Sequence, residues 1–159
     1  MKARPCKIQS SIHAALVAVF LLAALVLTGA EPPTIVGVWT TDEAKARVEV
    51  YQRDGMFCAK ILSMAEPNFP ADDKKGMGGQ PRTDRENPDP KLRDRPVIGL
   101  EIMHSLKPAG TKKWAGGKIY DPETGNTYSC KMTLVSSNEV HLRGFLGISL
   151  IGRTTTWTR

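Results

Sequence analysis

The stretch KKWAGGKIYDPETGNTYSCKMTLVSSNEVHLRGFLGISLIGRTTTWTR, residues 112–159, decides the fold. It divides into four runs, 112–120, 127–135, 139–146 and 150–159. Asp121-Pro122-Glu123-Thr124-Gly125-Asn126 separates the first two, and Ser136-Ser137-Asn138 the second and third. Residues of these types set unusual backbone angles or bond their own backbone, so they punctuate strands. In the second run Tyr128, Cys130, Met132 and Leu134 fall on one face, and Thr127, Ser129, Lys131 and Thr133 on the other. A period of two with one apolar side predicts a half-buried antiparallel strand. A meander of four such strands has a face to cover and edges to protect, and the preceding chain must supply both.

Upstream, runs at 35–41, 46–53 and 56–63 carry the same pattern. Ala46, Val48 and Val50 fall on one side of the second, and Phe57, Ala59 and Ile61 on one side of the third. Asp54-Gly55 joins the last two as a two-residue hairpin. In the run 97–106, Ile98, Leu100, Ile102, His104 and Leu106 share one parity, and the β-branched residues favour a strand. Between these, 64–96 breaks the texture: it is rich in Pro and Gly, nearly free of apolar side chains, and balances seven acids against seven bases. Such a segment cannot bury enough apolar surface to fold alone, and a loop this long in a small domain is usually a lid or an insertion. Eight antiparallel strands in up-and-down order predict an all-β closed barrel with one long loop. A barrel of that size is filled by side chains or holds one small ligand. Gly37, Ala46 and Ala59 leave room on the inner face.

The chain begins differently. Lys2, Arg4 and Lys7 precede an apolar run, 14–27, that ends in Thr28-Gly29-Ala30. A basic head, a short apolar run and small residues predict a cleaved secretory signal peptide over 1–30; the apolar run is shorter than the ~20 residues that span a bilayer. The mature chain, 31–159, then reads as one domain in the periplasm or outside the cell, with no transmembrane segment. It carries 19 basic and 16 acidic residues, a net charge of +3. The basic residues are scattered in pairs, which argues against a nucleic-acid partner. Cys58 and Cys130 fall on opposite strand parities and read as two separate apolar thiols.

On the last strand Ile151, Arg153, Thr155, Trp157 and Arg159 share a face. An unpaired charge inside a barrel costs several kcal/mol, so both arginines need partners: an indole to stack on or an anionic ligand. Arg153, nearer the middle of the strand than Arg159, is the expected deep anchor, beside Trp157. Tyr120 and Tyr128 flank the Asp121–Asn126 turn and offer hydroxyls at one mouth. His104 is either a hydrogen-bonded structural group or a polar group of the same pocket. No converging His, Cys, Asp or Glu spacing predicts a metal, no cofactor motif is present, and neither an activated nucleophile nor paired carboxylates predicts catalysis.

Gly37-Val38-Trp39 on the first strand with an arginine on the last resembles the calycin pattern of lipocalins and fatty-acid-binding proteins. That likeness implies barrel closure by Gly37, Trp39 and Arg159. The mature chain also resembles a bacterial family of exported proteins, domain of unknown function 2147, through Gly37-Val38-Trp39-Thr40-Thr41-Asp42, Leu92-Arg93-Asp94-Arg95-Pro96-Val97-Ile98-Gly99-Leu100, Gly116-Gly117-Lys118-Ile119-Tyr120-Asp121-Pro122, Arg143-Gly144-Phe145-Leu146-Gly147 and Trp157-Thr158-Arg159. The resemblance implies a lipocalin-like barrel and no particular activity. Many members carry a cysteine pair in the middle loop, which this chain lacks. Two functions fit: a module binding a small apolar or amphipathic molecule through Arg153, Trp157, Tyr120, Tyr128 and His104, or a filled barrel that contacts an envelope partner.

Overall fold

The structure is a computed structural model that describes residues 34–159. The expected signal peptide lies outside the described residues. Eight strands form a closed antiparallel barrel in sequence order: β1 (Gly37–Thr40), β2 (Ala46–Arg53), β3 (Met56–Met64), β4 (Glu101–Pro108), β5 (Lys113–Asp121), β6 (Asn126–Ser136), β7 (Glu139–Phe145) and β8 (Gly152–Thr158). The up-and-down order sorts the connections into two ends. The turns β2–β3, β4–β5 and β6–β7 and the last residue lie at one end, here the floor. The links β1–β2, β3–β4, β5–β6 and β7–β8 lie at the other, the mouth.

The inner faces follow the alternation of the sequence. Val48 and Val50 of β2, Phe57, Ala59 and Ile61 of β3, and Cys130, Met132 and Leu134 of β6 are all buried in one cluster with Trp39, Met103, Leu106, Trp114, Val140, Leu142 and Trp157. Large side chains thus fill the floor half. Gly117 keeps two strands close to that packing: a Cβ there would lie 2.8 Å from Leu106 and 2.9 Å from the Cys130 sulfur. Cys58 and Cys130 are both buried and both free. Burial pushes the Cys130 thiol up to about 12, which removes its nucleophilic form at neutral pH.

The fourth strand departs from the expected reading. It starts at Glu101, not 97, and its alternation is broken. Phe57 faces Leu106, Ala59 faces Met103 and Lys60 faces Glu101, so β4 inserts extra residues against β3. Ser105 takes a φ of 62°, the mark of a bulge that re-aims its neighbours. Met103 and Leu106 turn inward, and His104 is turned out to solvent, where its Nδ1 lies 2.9 Å from Ser105 Oγ.

The long link from β3 to β4 is ordered by polar contacts rather than by an apolar core. Two isolated bridges, Asn68 with Pro81 and Thr83 with Pro96, fold it on itself. Val97 and Leu100 at its end join the barrel core. Arg85 lies 3.9 Å from the centre of the Phe69 ring and makes a two-pronged bond to Asp73, at 2.9 and 2.8 Å. That guanidinium, with the Met77 and Lys75 amides, lowers the Asp73 carboxyl to about 2. A depressed carboxylate contributes stability above its unfolded value near 4 and loses it as pH falls through its folded value. Amide exchange at Lys75 and Met77, corrected for the intrinsic rate, is therefore expected to accelerate between about pH 4 and pH 2. Protection that holds unchanged across that window would mean the Asp73 carboxylate does not order this part of the link.

Candidate functional site

The barrel is closed at the floor by side chains more than by backbone. β1 and β8 pair at a single position, Thr40 with Thr158. Arg159 spans the remaining gap. Its Nη1 donates to the Val36 carbonyl at 3.0 Å and its Nε to the Ser137 carbonyl at 2.7 Å, joining the first strand to the β6–β7 turn. Its guanidinium carbon lies 4.3 Å from the centre of the Trp39 ring. Trp39 is wholly buried, and its Nε1 donates to the Ile35 carbonyl at 2.8 Å. Gly37 fits beneath them for two reasons: its φ is 133°, and a Cβ would stand 2.8 Å from Arg159 Nη1.

Above this floor the barrel is hollow. A cleft of about 550 Å³ opens at the mouth, lined by Ile102, Ile119, Tyr128, Leu142, Phe145 and Trp157, with Gly144, Gly152 and Thr155 between them and Leu146, Ile151 and Arg153 at the rim. Its size lies within the range of small-molecule sites. The room comes from Gly144, whose added Cβ would meet only Tyr128 at 3.8 Å and Ile119 at 3.9 Å. Gly37, Ala46 and Ala59, expected to leave the space, do not line it; Ala59 is packed in the core and Gly37 lies against Arg159.

The expected binding residues separate into four groups. Trp157 and Tyr128 line the cleft. Arg153 also faces it, but at the rim: its side chain is 76% exposed and stands 4.0 Å from Asp42. It is not the deep anchor expected, because the chain end lies at the floor, so counting back from Arg159 climbs toward the mouth. A smaller recess of about 180 Å³, against Asp42 and Lys45, lies on its other side. Tyr120 borders the cleft, yet its hydroxyl is committed elsewhere. It donates to Asp84 Oδ1 at 2.5 Å and accepts from the Asn87 amide at 3.1 Å. Burial first, then the Asp84 carboxylate, raise the Tyr120 phenol to about 12. His104 stands outside the barrel on the bulged strand and takes no part in the cleft.

Asp84 and Asn87 are the two buried polar side chains among the described residues. In sequence, with Glu86 and Asp89, they read at most as an ill-spaced calcium loop interrupted by Pro88, and that spacing does not show their buried pairing. Asp84 is fully buried and Asn87 nearly so. Asp84 Oδ2 receives Arg95 Nε at 2.8 Å, Arg95 Nη2 at 2.7 Å and the Asn87 amide at 2.7 Å. The signal was present as acids and bases in equal number within an apolar-poor link, but their pairing is spatial. Nearby, the Glu86 carbonyl packs against Gly125 of the β5–β6 turn, where φ is 72° and no Cβ would fit. The link is thus bound to β5 and the turn beyond it. Among the described residues no group of three His, Cys, Asp or Glu is placed to hold a metal, and no helix is long and apolar enough to cross a membrane.

Known proteins give the same architecture. The protein HP1028 of Helicobacter pylori, whose structure is described as belonging to the lipocalin family, superimposes with a TM-score of 0.66 at 26% identity, over 79% of this chain and 82% of that one. No curated protein matches the sequence. The family model described as uncharacterized protein conserved in bacteria, DUF2147, matches residues 37–159, the whole barrel from Gly37 to Arg159, and the chain belongs to that family.

Proposed function

We propose that this is an exported protein that holds a small amphipathic molecule in the mouth cleft. The observation that carries the reading is a barrel packed solid at the floor and hollow at the mouth, with an apolar wall and an exposed cation, Arg153, at its rim, held only loosely by Asp42 at 4.0 Å. Ile119, Leu142, Phe145 and Trp157 receive the apolar part. Arg153 receives a carboxylate or phosphate by charge-assisted bonds. Asp121 also borders the cleft, but its carboxylate is occupied by the Glu123 amide and the Thr124 hydroxyl of its own turn. The lipocalin-family neighbour supports a ligand-holding barrel by analogy of fold. Export rests on the basic head and apolar run ahead of residue 31. The alternative, a barrel acting only as a contact surface, fits the filled floor but leaves the cleft without a role.

Two substitutions test the cleft from opposite sides. Gly144→Leu places a side chain in the hollow without a backbone penalty, since Gly144 has no positive φ. It is expected to weaken uptake of fluorescent fatty-acid and bile-acid-like probes by about a hundredfold, roughly 2.7 kcal/mol. Arg153→Gln is expected to lose about tenfold for anionic probes and little for neutral ones, with the melting temperature unchanged because the side chain is exposed. Native mass spectrometry of protein purified from the periplasm of its own cells reads the bound molecule and the first residue together, with Glu31 expected at the start. A wild-type protein that takes up no probe and carries no small molecule overturns the binding reading. A full-length chain overturns the cleavage.

A further inference from the structure

The link between β7 and β8 is an apolar finger. Leu146, Ile148, Leu150 and Ile151 are 64%, 60%, 85% and 71% exposed, the most exposed large apolar side chains among the described residues. Contiguous apolar surface left in water marks a contact site. The finger is also held in place. Arg143, on the outer face of β7, donates from Nε to the Ser149 carbonyl at 2.7 Å and from Nη2 to the Leu150 carbonyl at 3.1 Å, while its Nη1 bonds Thr154 Oγ1 at 2.9 Å. Lys131 Nζ reaches Ser149 Oγ at 3.4 Å. These bonds bend the tip outward, away from the cleft, so Ile148 and Leu150 do not line it. Folding the finger over its own mouth would break the Arg143 bonds to the Ser149 and Leu150 carbonyls.

The charges around it select the occupant. From residue 124 to the end of the chain the sole acid is Glu139, at the floor end of β7. The mouth half of β6, β7 and β8 carries Lys131, Arg143 and Arg153 and no carboxylate. Asp42 and Glu43, on the β1–β2 link, border the recess beside Arg153, with Asp42 at 4.0 Å from it. Asp121 and Glu123 stand at the mouth end of β5, so Lys131 and Arg143 are the cations nearest the finger. A second copy docking finger to finger would bring these cations against their own kind. An apolar tip ringed by cations suits the interface of a bilayer, with side chains among the acyl chains and cations at anionic headgroups.

We infer that the β7–β8 finger docks this protein on a membrane surface bearing anionic lipid, tilted so that the β7–β8 side of the mouth faces the bilayer. Leu146 and Ile151 belong to both the finger and the rim of the cleft. The docked protein therefore presents a continuous apolar path from bilayer to cleft. Only that last consequence rests on the ligand-binding reading; the docking does not.

Flotation with phosphatidylcholine vesicles, with and without phosphatidylglycerol, tests this directly on the mature chain. Binding is expected to vesicles containing phosphatidylglycerol, to weaken without it, and to weaken as salt screens the headgroups. The double variant I148S/L150S is expected to lose at least about tenfold in partitioning, while keeping its melting temperature and its probe uptake, because neither residue lines the cleft. Gly144→Leu is expected to keep vesicle binding, which separates failure of the docking from failure of the cleft. Leu150→Trp adds a direct readout: its emission should shift to the blue when vesicles are added. Wild-type protein that floats with neither vesicle, floats undiminished as I148S/L150S, or shows no blue shift at position 150 overturns the inference. So does a concentration-dependent dimer that I148S/L150S abolishes, which would give the finger to a second copy.

Discussion

Replacing Trp39 by alanine is expected to cost about 3–5 kcal/mol, the range for deleting a large buried aromatic side chain. Burial alone places the change there, since Trp39 has no exposed surface. The seam makes it worse. With one backbone pair between β1 and β8, closure depends on Arg159 bonding Val36 and Ser137 across the gap, and Trp39 is the plate on which that guanidinium rests. Arg159→Ala, which leaves the indole in place, is expected to lose less, about 1–2 kcal/mol. In the double variant the arginine has no plate left to lose, so the two costs are expected to add to less than their sum by about 0.5–1 kcal/mol. Urea unfolding followed by far-ultraviolet circular dichroism measures all of these. A Trp39→Ala cost below about 1 kcal/mol would place the stability of the seam elsewhere.

The floor could be read from sequence because its determinants are local or terminal. Asp54-Gly55 fixes the β2–β3 hairpin, and β2 begins and ends where the alternation of Ala46, Val48 and Val50 places it. Antiparallel order alone brings Arg159 to the start of β1. The mouth was less legible. Parity placed Arg153 on the correct face and its height was wrong, since the chain ends at the floor and each residue before Arg159 rises toward solvent. His104 left its expected parity because the register of β4 against β3 shifts on either side of Met103 and Ser105 takes a positive φ, which turns Met103 in and His104 out. A bulge leaves little trace in an apolar pattern: Leu106 kept the inward place its parity gave it, and Met103, as apolar as its neighbours, took the inward place expected of His104. The cleft was assigned to the small residues Gly37, Ala46 and Ala59, although a small side chain makes room only where its neighbours do not close in. At Ala59 they do; at Gly144 they do not. The long link defeated an argument that counted apolar area alone, since its interior is an ion pair.

Asp84→Ala is expected to be the most damaging change in that link, at about 2–4 kcal/mol. The carboxylate has no exposed surface and receives two bonds from Arg95, one from Asn87 and one from Tyr120. Truncating it leaves the Tyr120 hydroxyl and the Asn87 amide without their shared acceptor, at about 1–3 kcal/mol for a buried polar group left unpaired. Arg95, whose side chain is 37% exposed, recovers water and limits the total below that of a fully buried pair. Asp84→Asn keeps the shape and gives up the charge, and should fall between the two. Tyr120 supplies a readout that a general loss of packing would not move. Its phenol, raised to about 12 by burial and then by Asp84, should titrate closer to the ordinary tyrosine value near 10 once the carboxylate is gone. The same linkage sets the alkaline limit of the wild-type protein. A phenol whose folded pKa lies above its unfolded one contributes stability that is complete below about pH 10 and lost as pH rises through about 12. In that window the link should release from β5 and become open to proteolysis around Gly76 and Gly79, two positive-φ glycines in its middle. Asp84→Ala should show the same cleavage at neutral pH. If the variant stays within about 1 kcal/mol of wild type and its ultraviolet tyrosine titration is unchanged, the Asp84 cluster does not hold the link to the barrel.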